Sequence, residues 1–181
     1  MPENVLELNR VCKRYGSFTA VNDISFAIPA GSIYGFLGPN GAGKTTTLRM
    51  ILDILKPDTG TISILGHTSA LNVRQRIGYL PEEKGLYKKM KVWAIISYFA
   101  TLKGMEKNAA RLRAFELLEQ YGLKDYADAK VESLSKGMGQ KVQVLSAVAH
   151  RPELVTRFEH MVICKVSESL ARSNQLVSTL R

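Results

Sequence analysis

Cysteine is scarce in this chain, and long apolar runs are missing from it. The two cysteines, Cys12 and Cys164, lie far apart and match no metal-binding spacing, so we expect reduced cytosolic thiols. The longest strongly apolar run, VWAIISYFA, has nine residues, whereas a membrane-spanning helix needs ~20. The N-terminal MPENVLELNR is acidic and polar, unlike a signal peptide. The sequence therefore predicts neither a cysteine metal motif nor a membrane span.

Acidic residues are few relative to basic ones. The chain has 16 Asp and Glu against 25 Lys and Arg, which gives a formal net charge of +9. Such an excess suits nucleic acid, an acidic membrane surface or anionic ligands. No basic block with interleaved aromatic residues stands out, so no nucleic-acid partner is expected. A length of 181 residues, with 45% hydrophobic and 23% charged residues, is typical of one soluble globular domain.

The N-terminal part of the sequence predicts strands followed by a helix. Alternating apolar residues predict a strand over residues 5–15 and a partner strand over 22–28. SIYGFLG, residues 32–38, is a continuous apolar run, which is typical of a strand buried on both faces. We expect a helix from about residue 43 to 55, then a turn and a further strand over 61–66.

The rest of the sequence predicts one more strand and long helical stretches. RIGYLP, residues 76–81, is typical of a short buried strand, and the periodicity is helical over 91–121 and again over 137–150. The apolar positions of the first stretch form two faces, Val92, Ile95, Ile96 and Phe99 on one and Leu112, Phe115 and Leu118 on the other. This order predicts an α/β domain that carries a helical subdomain.

A glycine-rich segment lies between a predicted strand and a predicted helix. GPNGAGKT, residues 38–45, fits the pattern G-x-x-x-x-G-K-[ST], in which glycines let backbone N–H groups approach phosphates at a helix N-terminus. Lys44 is expected to reach the β- and γ-phosphates, and the Thr45 hydroxyl to ligate Mg²⁺. The predicted nucleotide-binding residues here are Gly38, Pro39, Asn40, Gly41, Ala42, Gly43, Lys44, Thr45 and Thr46.

Three further segments accompany this glycine-rich segment, residues 38–45, which is called the P-loop below. KRYGSFTAV precedes it, and GYLPEEKGLY and LSKGMGQKVQ follow it in that order. Over about residues 5–155 this arrangement resembles the nucleotide-binding domain of an ABC transporter. The resemblance implies an α/β P-loop NTPase of ABC type. Such a fold has an N-terminal antiparallel β subdomain, a parallel core sheet and a helical subdomain, here at about 88–135. The GYLPEE and LSKGM forms look like the bacterial exporter branch, which uses ATP and Mg²⁺.

The resemblance assigns roles to the first and last of these segments. In the family, an aromatic residue near the end of the first strand stacks on adenine, and Tyr15 is at the matching position. LSKGM resembles the LSGGQ signature, a helix start that binds the γ-phosphate held by the second subunit of a head-to-tail dimer. Ser135 and Gly137 match that signature, whereas Lys136 and Met138 depart from its commonest form. A lysine still suits a helix start that faces phosphate.

The middle segment resembles the Q-loop. Glu82 stands where most members carry Gln, and its carboxylate is expected to contact Mg²⁺ or the attacking water. In the family, the helical subdomain docks on a membrane-embedded subunit. Tyr87, Met90 and Trp93 are candidates for that surface, although aromatic residues at helical spacing also suit a core. The resemblance implies a cytoplasmic protein held at the inner face of the cell membrane by its transmembrane partner.

The acidic pair that completes an ABC nucleotide site departs from the family pattern. In the family, a strand of apolar residues ends in Asp-Glu, where Asp holds the Mg²⁺ shell and Glu polarises the attacking water. Here AHRPELV is followed by Thr156 and Arg157, and then by Phe158 in place of the Asp. Glu159 falls at the catalytic position by counting. Arg157 puts a charge into a strand that is expected to be buried.

Residues 156–181 are expected to form a divergent tail, which leaves a partial domain over 1–155, truncated after the signature helix. The family's SGLDP-like loop and switch histidine are absent from ICKVSESLARSNQLVSTLR. A frameshift, a truncated gene, a chimera or a real variant would each produce such a break. An amphipathic helix is predicted in the tail, with Val166, Leu170, Val177 and Leu180 on one face.

Three hypotheses for function remain open at the level of sequence. The chain is an ATP-hydrolysing subunit of an ABC exporter, or a nucleotide-binding remnant that cannot turn over, or a soluble ABC-type protein that acts on nucleic acid. The net charge of +9 is the only support for the third.

Overall fold

The computed structural model describes residues 4–80, 87–157 and 162–165. In chain order the elements are β1 (Asn4–Tyr15), β2 (Phe18–Pro29), β3 (Ile33–Gly35), α1 (Lys44–Ile51), β4 (Thr59–Ile64), β5 (Ile77–Leu80), α2 (Val92–Leu102), α3 (Lys107–Gln120), α4 (Lys136–Val148), β6 (Leu154–Arg157) and β7 (Val162–Lys165). The chain divides into two compact units, one of residues 1–74 and 158–165 and one of residues 75–157 and 166–181. The proposed boundary at residue 155 stays a prediction.

The first unit contains an antiparallel sheet of three strands in the order β2-β1-β4. The central strand β1 buries Leu6 and Leu8 in the expected alternation and then Val11, one position out of phase. A register shift lies between Leu8 and Val11, where Arg10 has a φ of 50°. A bulge of this kind inserts one residue and moves the buried positions along by one.

The expectation that residues 32–38 form a strand buried on both faces is wrong. The strand β3 has three residues and pairs antiparallel with β7, with Ile33 opposite Cys164. Tyr34 stacks on Phe26 at 5.4 Å between ring centroids, whereas Ile33 is 51% exposed and Leu37 84% exposed. Side chains alternate across a strand, so a single covered face buries only every second residue.

The helix α1 ends at Ile51, four residues before the predicted end at 55. Asp53 adopts a φ of 59°, a left-handed conformation that terminates a helix. The N–H groups of Ile54 and Leu55 then turn back to the carbonyl of Arg49, at 2.9 and 3.2 Å. Polar residues such as Asp tolerate this conformation better than most others, which explains the early stop.

In the second unit, β5 and β6 form a parallel pair with Ile77 opposite Leu154. One residue before each strand, Arg76 binds Glu153 through both carboxylate oxygens, Nε–Oε1 at 2.5 Å and Nη2–Oε2 at 2.8 Å. The N–H of Glu153 also donates to the carbonyl of Arg76 at 2.8 Å. These bonds fix the starting register of both strands.

The predicted strand over 76–81 is confirmed as β5. Its Gly78 is closely packed, because a Cβ there would lie 2.5 Å from the carbonyl oxygen of Ala147 in α4.

The helical stretch predicted over 91–121 is two helices, α2 and α3, separated by a turn at Gly104, whose φ is 97°. Val92, Ile95 and Ile96 are buried as expected, and Phe99 is half-buried. Leu112, which was predicted to share a helix face with Phe115 and Leu118, is 66% exposed, whereas Leu118 is buried. The buried face of α3 consists of Ala110, Ala114, Leu117 and Leu118. Two small alanines lie on the packed side because they allow close approach to a neighbour, and Leu112 lies on the opposite side of the helix.

The helix predicted over 137–150 is confirmed as α4, which buries Val142, Leu145 and Val148. After it, β6 buries Leu154, Val155 and Thr156, and the Thr156 hydroxyl has no hydrogen-bond partner among the described residues. Within the part of the chain that the structure describes, no helix is long and apolar enough to cross a membrane.

Part of the predicted tail lies outside the described residues. The strand β7 was not predicted from the sequence. The amphipathic helix expected over 166–180 falls on residues that the structure does not describe, and so do Glu82, Phe158 and Glu159.

Candidate functional site

The P-loop connects β3 to α1 in the first unit. Gly41 and Gly43 have φ values of 84° and 80°, in the left-handed region that favours glycine. Gly43 meets a second constraint, because a Cβ there would lie 2.3 Å from the carbonyl oxygen of Ala20 in β2. The Ala42 N–H donates to the Pro39 carbonyl at 3.3 Å and closes a turn. The loop therefore forms a tight turn that leads directly into the N-terminus of α1.

Lys44 is the first residue of α1, and its side chain folds back onto the start of the loop. Its ammonium donates to the carbonyl oxygens of Gly38 at 2.6 Å and Pro39 at 2.8 Å. The first turn of α1 contains no acidic residue, so the partial positive charge of the helix N-terminus is not neutralised by the helix itself. A lysine ammonium, left-handed glycines and a helix N-terminus together fit a chain of phosphates.

Three threonines follow Lys44 and differ in what their hydroxyls do. Thr47 is buried, and its hydroxyl donates to the Gly43 carbonyl at 2.9 Å, which ties the helix to the loop. Thr45 is exposed and Thr46 half-buried. The role of Thr47 was missed at the sequence level, although its place on the apolar face with Leu48 and Ile51 was a usable signal.

Among the P-loop residues, Thr45 is the predicted Mg²⁺ ligand. The described residues contain no cluster of three or more His, Cys, Asp or Glu that could hold a metal ion. Mg²⁺ commonly takes one or two protein oxygens and completes its octahedron with phosphates and water. The exposed hydroxyl of Thr45 fits that role, whereas Glu82 and Glu159 are outside the described residues.

Tyr15 lies at the end of β1 and is 49% exposed. It is directly opposite Phe18 in the hairpin, and Phe18 is 61% exposed. Residues opposite each other in an antiparallel pair project from the same face. The first unit therefore presents two neighbouring aromatic side chains, of which only Tyr15 was predicted from the sequence. The two-residue spacer between them, Gly-Ser, was the signal for the hairpin.

Ser135 caps the N-terminus of α4 in the second unit. Its hydroxyl accepts from the Met138 N–H at 3.3 Å, and its carbonyl accepts from the Gly139 N–H at 2.9 Å. No acidic residue lies in the first turn. The first N–H groups of a helix have no intrahelical acceptor, so within the described part of the chain those of Lys136 and Gly137 are available to another partner.

The start of α3 is different. Its cap is Glu106, whose carboxylate accepts from the Ala109 N–H at 2.9 Å. Backbone N–H groups, that of Asn108 first, hold the pKa of Glu106 below its usual range. A carboxylate of the chain already occupies this helix start, whereas the neutral cap of α4 leaves its N-terminus suited to an external anion.

A groove runs along the start of α4. Ser135 and Lys136 line it together with Lys88 and Glu132, and Leu134 and Gln140 contribute further walls. Lys88 was missed in the sequence because it lies in a different segment from the signature-like motif. The structure thus places a second lysine, Lys88, in one groove with the predicted site residue Ser135.

The aromatic residues before and on α2 divide into two groups. Trp93 is half-buried, stacked on Phe115 at 5.8 Å, with the Arg111 guanidinium 4.9 Å from its ring centre. Tyr87 is 54% exposed and meets Tyr98 edge-on at 5.7 Å, and a hydrogen bond with Tyr87 raises the pKa of Tyr98. Trp93 therefore belongs mainly to internal packing, whereas Tyr87 is accessible.

His150, at the end of α4, is a largely buried titratable group. Burial, with the nearby Lys103 ammonium, lowers its pKa to about 4, and the backbone of Ile77 opposes that shift. Among the described residues neither ring nitrogen has a partner of hydrogen-bonding geometry. An imidazole in this setting is neutral near pH 7.

Comparisons with known proteins agree with this geometry. A family model described as ABC transporter matches residues 21–156. The chain is 48% identical over 151 residues to the ABC transporter ATP-binding protein YhaQ of Bacillus subtilis, covering 83% of this chain and 51% of that protein. It is 36% identical over 187 residues to the Nod factor export ATP-binding protein I of Burkholderia orbicola, covering 96% and 62%. The chain thus spans roughly half to two thirds of the length of these relatives.

Solved structures give the same fold. An ATP-binding subunit of an ABC transporter aligns with a TM-score of 0.69 and 27% identity, over 84% of this chain and 65% of that one. The protein cbiO1 of Clostridium perfringens, part of the ABC transporter complex cbiONQ, aligns with a TM-score of 0.74 over 99% of this chain and 71% of its own. At 20% identity the second likeness concerns the fold alone.

Proposed function

Because this chain belongs to the ABC transporter ATP-binding family, we propose that it binds ATP as the nucleotide-binding part of a transport subunit. The observation that carries this proposal is the P-loop, with Lys44 at its mouth and α1 directly behind it. The word export in the name of the Nod factor relative supports an exporter. The chain spans about half of YhaQ, so transport itself is proposed for the whole protein of which these residues are a part.

Nucleotide binding requires Lys44 to change partners. Its ammonium moves from the Gly38 and Pro39 carbonyls to the β- and γ-phosphate oxygens of ATP, which offer more negative charge. The N–H groups of the loop and of the α1 start bind the same phosphates. Tyr15 stacks on the adenine ring, and its 49% exposure leaves a face for this contact.

Thr45 would hold Mg²⁺ beside the phosphates. The ion, when bound, neutralises charge on the β- and γ-phosphates. Thr45 is an exposed residue in the first turn of α1, next to the lysine that is proposed to reach the same phosphates. Glu82 is proposed as a further ligand on the strength of the resemblance alone.

The second unit is proposed to face other subunits. The start of α4, with Ser135 and Gly137, is suited to the γ-phosphate of a nucleotide held by a second nucleotide-binding subunit in a head-to-tail dimer. Tyr87 is the exposed candidate for contact with a membrane-embedded subunit. Such a partner would place the chain at the inner face of the membrane.

A second candidate function is nucleotide binding without turnover. Phe158 stands where the family's metal-binding Asp belongs. In the strand that leads to it, the Thr156 hydroxyl is buried and has no hydrogen-bond partner among the described residues. Buried hydroxyls in a core strand are usually hydrogen-bonded. These two observations favour a chain that binds ATP and does not hydrolyse it alone.

Calorimetry of ATP binding tests the P-loop. Lys44→Ala is expected to weaken ATP affinity by about 10- to 100-fold, because a hydrogen bond to a charged group contributes ~1.5–3 kcal/mol. Arg49→Ala is the matched control, since it removes one positive charge from the exposed side of the same helix. Equal affinity for wild type and Lys44→Ala would contradict the assignment.

A further inference from the structure

Lys88 is fixed beside the start of α4 by backbone hydrogen bonds. The Glu132 N–H donates to the Lys88 carbonyl at 3.0 Å, and the Val131 N–H donates to the Met90 carbonyl at 3.0 Å. These bonds join the segment before α2 to the segment that leads into Ser135. Because its backbone is held there, Lys88 lines the groove together with Ser135.

The groove carries an excess of positive charge. Among the described residues, neither the Lys88 nor the Lys136 ammonium has a carboxylate partner, and the Glu132 carboxylate lies in the same groove. The α4 N-terminus adds the free N–H groups of Lys136 and Gly137 and no acidic residue of its own. The balance of one carboxylate against two ammonium groups and a helix start favours an anion with several charges.

We propose that Lys88 is a second cationic contact for the terminal phosphate that the α4 start takes. This inference rests on the proposed function, in which that phosphate belongs to ATP on another subunit. Lys136 is the first residue of α4 and Lys88 lies in the segment before α2, and both line the groove. Two ammonium groups and a helix start in one groove favour the anion with the larger total charge, so the groove prefers tri- to pyrophosphate.

The neighbouring residue Lys89 supplies a matched control. It is exposed like Lys88 and carries the same charge, but it does not line the groove. A substitution there changes the net charge of the chain equally and leaves the groove intact. A difference between the two variants therefore reports on position.

The experiment uses the full chain with Lys44→Ala, so that the P-loop no longer dominates phosphate binding. Tripolyphosphate and pyrophosphate are titrated separately while the backbone amide signals of residues 135–139 are followed by NMR. Tripolyphosphate is expected to shift these amides at lower concentration than pyrophosphate. Lys88→Gln should weaken tripolyphosphate binding about threefold, a size typical of an exposed ion pair, whereas Lys89→Gln should not, and Lys88→Arg should retain it.

Each contrary result overturns the inference. Equal weakening by Lys88→Gln and Lys89→Gln would mean that only net charge matters. Undisturbed amides at the α4 start under tripolyphosphate would mean that the groove takes no phosphate. Neither result touches the P-loop, whose function is decided by ATP calorimetry on the wild-type chain and Lys44→Ala.

Discussion

At the scale of single residues, the site depends on positions where two constraints coincide. Gly43 combines a left-handed backbone with the close approach of the Ala20 carbonyl, whereas Gly41 has the same backbone region and open space around it. The P-loop pattern predicted both glycines. It could not predict their difference, because the second constraint comes from β2, which is distant in sequence.

Gly43→Ala is expected to be clearly more damaging than Gly41→Ala. Both substitutions force alanine into the left-handed region, at a cost of ~1–2 kcal/mol. Only Gly43→Ala also drives a Cβ to 2.3 Å from a backbone oxygen, so the loop or β2 must move. Urea unfolding should therefore give the larger loss of stability for Gly43→Ala, together with weaker ATP binding by calorimetry. Indistinguishable unfolding curves for the two variants would refute this account of the loop.

His150 is expected to make the folded chain less stable at acid pH. In the unfolded chain the imidazole has its usual pKa of 6.5, whereas in the folded chain its pKa is lowered to about 4. Between these values the unfolded state binds more protons, so stability falls as pH falls and is unaffected above about 7. At ~1.36 kcal/mol per pKa unit, and reduced for partial exposure, the loss on reaching pH 4 is about 2 kcal/mol.

Urea unfolding between pH 4.5 and 7.5 measures this effect. His150→Gln should flatten the pH dependence of the free energy of unfolding, and the control His67→Gln, which removes another histidine, should not. A wild-type slope that survives in His150→Gln would assign the acid sensitivity to other groups.

At the scale of elements, the order of strands, loops and helices was predicted well from adjacent residues. Burial that depends on packing against segments distant in sequence was not. The order of strand, glycine-rich loop and helix around residues 38–45 follows from local chemistry, and the structure confirms it. The burial of residues 32–38 depends on what covers each face, and Ile33 and Leu37 are exposed there against the prediction. In α3 the buried side is chosen by the close packing that Ala110 and Ala114 permit, which outweighed the hydrophobicity of Leu112.

The pair Arg76–Glu153 is expected to stabilise the second unit by holding the register of β5 and β6. Arg76→Ala should lower the free energy of unfolding by about 1 kcal/mol, because the pair is bidentate but its side chains are each 40% exposed and screened by solvent. Urea unfolding should give a smaller loss for the control Lys124→Ala, whose pair with Glu119 is more exposed. The exchange Arg76→Glu with Glu153→Arg should recover part of the loss. If Arg76→Ala costs no more than Lys124→Ala, the register is held by the backbone alone.

At the scale of the whole molecule, the order of motifs was sufficient to predict the family. The resemblance to an ABC nucleotide-binding domain, and with it the fold class, is confirmed by the family model over residues 21–156. The proximity of Lys88 to Ser135 could not be predicted, since it arises from backbone bonds between distant segments. The roles of Tyr15, Ser135 and Gly137 stay predictions, as do those of Glu82 and Glu159.

Steady-state ATP hydrolysis by this chain alone is expected to be near background. Phosphoryl transfer depends on a positioned Mg²⁺ and a positioned water. Thr45 is predicted to offer one metal contact, but by the resemblance Phe158 stands where the family has the carboxylate that anchors the metal shell. Loss of one positioned catalytic group typically lowers the rate by ~10²–10⁴. Phosphate release from Mg²⁺-ATP, with Lys44→Ala as the blank, measures what remains.

Two variants make the hydrolysis measurement decisive. Phe158→Asp restores the missing carboxylate, and a rise in turnover above the Lys44→Ala blank would identify that residue as the limiting defect. Glu159→Gln should have no effect in the wild-type background, because there is no turnover for it to remove. If the wild-type chain instead hydrolyses ATP well and Glu159→Gln abolishes that activity, the segment VTRFE is a working catalytic strand that aims Glu159 at the water without the family's Asp.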